Sequence, residues 1–352
     1  DPNQREGSKP HQWRNRTVAD AFEPGSTLKV FSIGAALDAG LLPLDERIDC
    51  EKGRWRLGHY TIHDTHPHDQ LDVASILKKS SNICTAKIGF RLGKARLYQS
   101  LRRFGFGYPT ELGLPSERSG VLRPPARWSD VALANVAFGQ GMTTTVLHLA
   151  QAMGAVANGG RMMRPRLVLA LRDSRGQTVE QTPPGGTSVI SAGTAARLLH
   201  LLRGVVEKGG TGADAALQRY SVAGKTGTAQ KVDPVTGKYS TDRWVSSFLA
   251  AVPAKRPRLV IAVVVNEPAG DKHYGGEVAG PIFKRVAEKA LAYLGVKPDL
   301  DKPERAPERP AVVVEPVAST ESENAGDGDG GYIDEEEAPD EEDEAAAARV
   351  DD

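Results

Sequence analysis

Only two of the 352 residues are cysteine, Cys50 and Cys84. That scarcity, with no CxxC spacing, excludes a disulfide-stapled small domain and a thiolate zinc site. The two cysteines read as small buried hydrophobes, although an oxidising compartment would permit a bridge. Long apolar runs are equally scarce. The longest clean one covers residues 259–265, far short of the ~20 residues that cross a bilayer as a helix. There is no evident internal repeat, which argues against solenoids and propellers. The chain starts at Asp1, with neither an initiator methionine nor a signal-like segment, and reads as a piece of something longer.

A net charge of zero hides a division. Residues 301–352 hold 19 acidic against 4 basic side chains, and residues 1–300 hold 26 against 41. The tail is mostly Pro, Glu, Asp, Ala and Gly. It is too poor in apolar groups to offset the entropy of ordering, so it is expected to be disordered. The basic body over residues 1–300 suits an anionic polymer or membrane surface as well as it suits plain solvation.

Helical periodicity begins at Ser26, with Leu28, Phe31, Ala35 and Leu37 in step,. Asp72 is a good N-cap for a helix that carries Val73, Ile76 and Leu77 on one face. That helix breaks at Ser80-Ser81-Asn82 and resumes over residues 83–92. Residues 143–145 can cap a further helix, closed by Asn158-Gly159-Gly160, and another is expected over 191–208. The texture then changes. Residues 221–232, 244–253 and 258–266 read as consecutive strands, and a closing helix follows Pro281. Helices first and strands later argue for an α+β fold, an antiparallel sheet with segregated helices.

Three short motifs occur in order: Ser26-Thr27-Leu28-Lys29, Ser80-Ser81-Asn82 and Lys225-Thr226-Gly227. Singly each is weak; together they form the SxxK, SxN and KTG set of active-serine acyl-transfer enzymes. The chemistry fits. A serine hydroxyl is a poor nucleophile until a base takes its proton. Lys29, one helical turn from Ser26, can be that base if a second cation, Lys225, disfavours its charged form. Ser80 is a candidate proton relay, and Asn82 can hold Lys29 and a substrate amide. Lys225 with the hydroxyls of Thr226 and Thr228 can bind a carboxylate, while Gly227 lets a peptide approach the strand. The backbone N–H groups of Ser26 and Thr228 are candidates for the oxyanion hole. Ser81 is expected to face away. Residues 63–68, with three histidines and Asp64, read as a loop in which Asp64 makes local hydrogen bonds, not as a metal site. No metal or cofactor is expected.

Ala21-Phe22-Glu23-Pro24-Gly25-Ser26-Thr27-Leu28-Lys29, Lys79-Ser80-Ser81-Asn82-Ile83 and Ala223-Gly224-Lys225-Thr226-Gly227-Thr228-Ala229-Gln230 resemble the motif regions of class B penicillin-binding proteins. So do Asn3-Gln4-Arg5, Phe138-Gly139-Gln140-Gly141, Tyr274-Gly275-Gly276 and Ala279-Gly280-Pro281. Within that family the likeness is to the division- and sporulation-specific transpeptidases, the FtsI and SpoVD group, and it reaches to about residue 295.

The resemblance implies a penicillin-binding transpeptidase, serine β-lactamase-like fold: an antiparallel sheet flanked by helices, with an all-helical lobe. It places the first sheet strands upstream of residue 1, so the domain over residues 1–300 would be incomplete at its N-terminus. It implies a peptidoglycan DD-transpeptidase in septal or spore wall synthesis, with a D-Ala-D-Ala stem peptide as acyl donor and β-lactams as acylating agents. Partners would be membrane proteins of division or elongation, such as a glycosyltransferase, and no nucleic acid. The anchor would lie upstream, with the catalytic domain outside the cell membrane. A class A β-lactamase would need an ExxLN motif between Asn82 and Lys225, and none is present. A DD-carboxypeptidase, or a non-catalytic sensor or scaffold that binds β-lactam or stem peptide, remains the alternative.

Overall fold

Pro24 and Gly25, the latter at φ +53°, deliver the chain into a 3-10 turn, Gly25–Leu28, that runs on as helix α1, Lys29–Asp38. Only glycine takes that φ without strain. Residues 29–37 are all buried, so α1 is a central helix wrapped on every side. Phe31 anchors it, its ring 5.0 Å from that of Phe104 and 5.2 Å from that of Phe106. The computed structural model describes residues 6–181, 185–300 and 333–335.

After α1 comes a hairpin of β1, Arg54–Leu57, and β2, Tyr60–His63. Helix α2, Val73–Lys79, starts where the Asp72 carboxylate accepts from Ser75 N–H at 2.7 Å. Helix α3, Asn82–Leu92, starts where Ser81 Oγ accepts from Cys84 N–H at 3.0 Å. The Asp72 cap sits where the sequence places it; Ser81, read as part of a break, turns out to cap the helix that follows. Then follow α4, Lys94–Arg103, and α5, Asp130–Phe138, which pack with α3 around α1 as the helical lobe. Neither α4, α5 nor the hairpin was legible in the periodicity. Among the residues of α4 only Leu97, Ser100 and Leu101 are buried, so its apolar stripe is faint.

Helices α6, Val146–Ala157, and α7, Ala192–Arg203, bridge the lobe to a sheet of β3, Ala223–Val232, β4, Tyr239–Val252, and β5, Leu259–Asn266. The sheet is antiparallel in the order β5-β4-β3, with Leu249 of β4 opposite both Lys225 and Ala262. Strand side chains alternate between faces. Leu249 and Ala251 join the main core with α1 and α7, while Phe248, Ala250 and Val252 meet Phe283, Ala287 and Leu291 of α8, Gly280–Tyr293. Each such fully buried large side chain contributes roughly 1.5–3 kcal/mol. The outer edge of β5 pairs with no strand among the described residues.

One expectation is corrected. Cys50 and Cys84 are wholly buried, but they form a disulfide across 34 positions, with Cα atoms 5.2 Å apart. Cys50 follows the strand Arg47–Asp49 and Cys84 lies in the first turn of α3. Their meeting depends on how the loop packs on the helix, which spacing does not report. The acidic tail lies outside the described residues except at Ile333–Glu335, whose backbone pairs antiparallel with β2.

Candidate active site

The three motifs converge on one oxygen. Lys29, at the start of α1, donates from Nζ to Ser80 Oγ at 3.1 Å and to the Ser80 carbonyl. Lys225, on β3, donates from Nζ to the same Ser80 Oγ at 2.7 Å and to the Thr226 carbonyl at 3.1 Å. Both lysines are fully buried. Ser26 is buried one turn before Lys29, in the 3-10 turn.

Ser80 holds its place by an unusual backbone. It is the C-cap of α2 at φ 61° and ψ 39°, the left-handed region. A non-glycine residue there costs on the order of 1–3 kcal/mol and persists only where its surroundings determine it. Here they do. Ser81 N–H donates to Ile76 O at 3.2 Å, Ser81 Oγ faces away from the lysines to Asp64 at 2.6 Å, and Asn82 Nδ2 donates to His63 O at 3.0 Å.

Strand β3 lies against the nucleophile turn. A Cβ on Gly25 would stand 3.0 Å from Thr228 O, and one on Gly227 would stand 2.5 Å from Ser247 Oγ and 2.9 Å from Thr27 Cγ2. The missing side chain of Gly227 therefore makes room for Ser247 and for the turn itself. That contact seats the turn that carries Ser26 against the backbone of Thr228. Thr226 Oγ1 lies 2.7 Å from Thr211 Oγ1, and Thr228 Oγ1 accepts from Gly275 N–H at 3.0 Å. A hydroxyl that accepts from a backbone N–H keeps its own proton to donate. Gly275 and Gly276 are packed too closely for a side chain, 2.4 Å from Gly227 O and 2.0 Å from Thr211 O respectively for an added Cβ.

The motifs alone did not disclose three supporting groups: Asp64, Thr211 and Glu23. The Glu23 carboxylate accepts from Gly141 N–H at 2.9 Å and from Tyr239 Oη at 3.0 Å, tying the turn before Ser26 to the stem of the β3–β4 hairpin. Burial pushes its pKa up to about 7 against the pull of those two donors, and burial with the Glu23 charge pushes the Tyr239 phenol up. Two signals were available, the position of Glu23 inside the first motif block and that of Asp64 in the histidine-rich loop. Among the described residues no three His, Cys, Asp or Glu side chains converge as a cation site.

A serine at a helix start, with two buried lysines meeting on a second serine over an antiparallel sheet, defines the class of active-serine, penicillin-recognising proteins. Residues 1–288 match the penicillin binding protein transpeptidase domain, and the chain belongs to that family. It is 37% identical over 298 residues to a probable peptidoglycan D,D-transpeptidase PenA of Neisseria gonorrhoeae, covering 85% of this chain and 49% of that protein. The chain thus spans about half the length of the curated relatives it matches. The transpeptidase domain of penicillin-binding protein 3 from Burkholderia pseudomallei superposes with a TM-score of 0.75 at 32% identity, covering 82% of this chain and 85% of that one. Penicillin-binding protein 3 of Mycobacterium tuberculosis, solved in complex with aztreonam, gives 0.76 at 32% identity over 85% of this chain and 68% of that one.

Proposed function

We propose that the chain carries the acylation site of a peptidoglycan DD-transpeptidase, with Ser26 as nucleophile and a D-Ala-D-Ala stem peptide as donor. The observation that carries this reading is the shared Ser80 Oγ, within hydrogen-bond reach of both Lys29 and Lys225. Two ammonium groups on one oxygen repel, and a proton lost from Lys29 relieves that repulsion. Lys29 can then take the proton of Ser26 Oγ as it attacks the carbonyl carbon of the penultimate D-Ala. The oxyanion forms between the N–H groups of Ser26 and Thr228.

Collapse breaks the D-Ala-D-Ala amide, and the leaving amine needs a proton. Ser80 Oγ has its two lone pairs turned to the lysines, so its own proton is left to point elsewhere. Lys29 passes a proton through Ser80 to the departing D-Ala, leaving an acyl ester on Ser26. An amine of a neighbouring stem then attacks the ester, and the proton returns by the same route. Lys225, Thr226 and Thr228 hold the terminal carboxylate, Gly227 keeps the strand close, and Asn82 orients the substrate amide. A β-lactam acylates the same serine, by analogy with the aztreonam complex of the M. tuberculosis relative.

The proposed setting is the outer side of the cell membrane, beside a division or elongation glycosyltransferase. The Cys50–Cys84 bridge supports an oxidising compartment. Among the described residues no helix is long and apolar enough to cross a membrane.

The test is covalent labelling with a β-lactam followed by intact-protein mass spectrometry. One adduct is expected, on Ser26, and Ser26→Ala is expected to abolish it. Full labelling of that variant would overturn the reading. An amine acceptor added to the acyl-enzyme separates transpeptidase, which transfers, from carboxypeptidase, which hydrolyses, and from sensor, which holds the acyl group.

A further inference from the structure

The loop of residues 63–68 is rich in chemistry and plays no part in the acyl-transfer steps above. Its Asp64 nevertheless touches the second motif directly. Three donors meet its carboxylate: Ser81 Oγ at 2.6 Å on Oδ2, and the backbone N–H groups of Asn82 at 2.6 Å and Ile83 at 3.0 Å on Oδ1. The far side is also pinned, since Asp64 N–H donates to Gly53 O at 3.1 Å and His63, opposite Arg54 in the β1–β2 hairpin, takes the Asn82 side chain.

We propose that Asp64 is a positioning residue of the acylation site, a carboxylate that fixes the loop carrying Ser80 and balances the charge of Lys29. The inference rests on the acyl-transfer reading and assigns a role to a residue outside the three motifs.

The geometry goes beyond an ordinary helix cap. Ser81 caps α3 through Cys84 N–H, and Asp64 takes the two orphan N–H groups before it, those of Asn82 and Ile83, while also holding the cap hydroxyl itself,. What Asp64 adds is a grip on three consecutive residues, 81–83, immediately after the left-handed Ser80. With those residues fixed, Ser80 cannot relax toward an ordinary backbone, and its Oγ stays between the two lysines. A loop free to relax would shed the strain of the left-handed residue, and would carry the relay oxygen away.

Charge is the second part. Lys29 and Lys225 are both fully buried, which is tolerable only with compensation nearby. Burial raises the Asp64 carboxyl on balance, against the pull of the Ser81 hydroxyl, the Asn82 and Ile83 N–H groups and the Lys29 charge. That interaction is mutual: an ionised Asp64 favours the ammonium form of Lys29. The other charged or titratable groups near Asp64 are His68 on its own loop, with Lys79 from the end of α2 and His66 acting on that ring. Lys225 of β3 shares the Ser80 hydroxyl with Lys29.

Stopped-flow acylation by a chromogenic cephalosporin, measured against pH on the full chain, tests this. Asp64→Asn keeps an acceptor for the two backbone donors but removes the charge. Deprotonation of Lys29 then becomes easier, so the acid limb of the acylation profile is expected to move down by about one pH unit. Asp64→Ala also removes the grip, and its acylation rate constant is expected to fall about 100-fold, with Asp64→Asn recovering most of the loss. His68→Gln removes the neighbouring imidazole and is expected to leave the limb in place. An unmoved limb in Asp64→Asn, a limb that moves only with His68→Gln, or wild-type acylation in Asp64→Ala overturns the inference while Ser26 labelling stands. Absence of Ser26 labelling in the unsubstituted chain overturns both.

Discussion

Lys225 Nζ stands 2.7 Å from Ser80 Oγ, so the sheet and the helical lobe are joined at the oxygen that Lys29 also holds. Reading the motifs alone assigns proton transfer to Lys29, with Lys225 as the carboxylate anchor and the cation that disfavours the charge of Lys29. The shared contact adds a direct hold of Lys225 on the relay oxygen. Lys225→Ala is therefore expected to lower the acylation rate itself by about 100-fold or more, in addition to weakening substrate binding. Saturation kinetics with a slow β-lactam separate the two effects. A loss confined to affinity would restore the simpler assignment.

Gly227 has no room to grow. A methyl group there would meet Ser247 Oγ at 2.5 Å and Pro24 O at 3.0 Å, and the latter belongs to the turn that presents Ser26. Gly227→Ala is expected to destabilise the chain by about 1–3 kcal/mol and to slow acylation. Thermal melting and labelling of the same sample check this. A variant with unchanged melting and unchanged labelling would show that the turn yields freely.

The Cys50–Cys84 bridge closes a loop across 34 positions that contains Asp64, α2 and Ser80. Constraining an unfolded chain over that distance is worth roughly 4 kcal/mol in the chain-entropy view. Reduction, or Cys50→Ala with Cys84→Ala, is expected to lower the unfolding free energy by about 2–4 kcal/mol. Denaturant titration with and without reductant measures it. Coincident curves would mean that packing alone holds the loop.

Glu23 makes stability depend on pH. Its carboxyl titrates near pH 7 in the folded chain, against an ordinary value of 4.5. Between those values the folded state keeps a proton that the unfolded state has released, so stability falls as pH rises through that window. Glu23 is only partly buried, and the loss is expected to be about 2 kcal/mol, less than the full shift would give. Glu23→Gln should flatten the slope between pH 4.5 and pH 7. Equal slopes for the two proteins would assign the effect to other groups.

What could be read from the sequence is what neighbours encode for one another. Ser26 and Lys29 share a turn, Asp72 precedes its helix, and the change to strand texture shows at residues 221–232. Contacts between distant positions were not legible. Asp64 meets Ser81 across 17 positions and Tyr239 meets Glu23 across 216, and the cysteine pair depends on the same kind of approach. The register that puts Lys225 opposite Leu249, and so turns its amine toward the lobe, is a property of the sheet. No periodicity in residues 223–232 reports it.

The two edges of the sheet are unlike. The β3 edge is pressed against the turn at residues 24–27, close enough that Gly25 and Gly227 admit no side chain. The β5 edge meets no strand among the described residues, though residues 259–265 are half-buried and apolar throughout. A strand added at β5 would lengthen the platform on the side away from Ser26, with the distance between Lys225 and Ser80 left as it is.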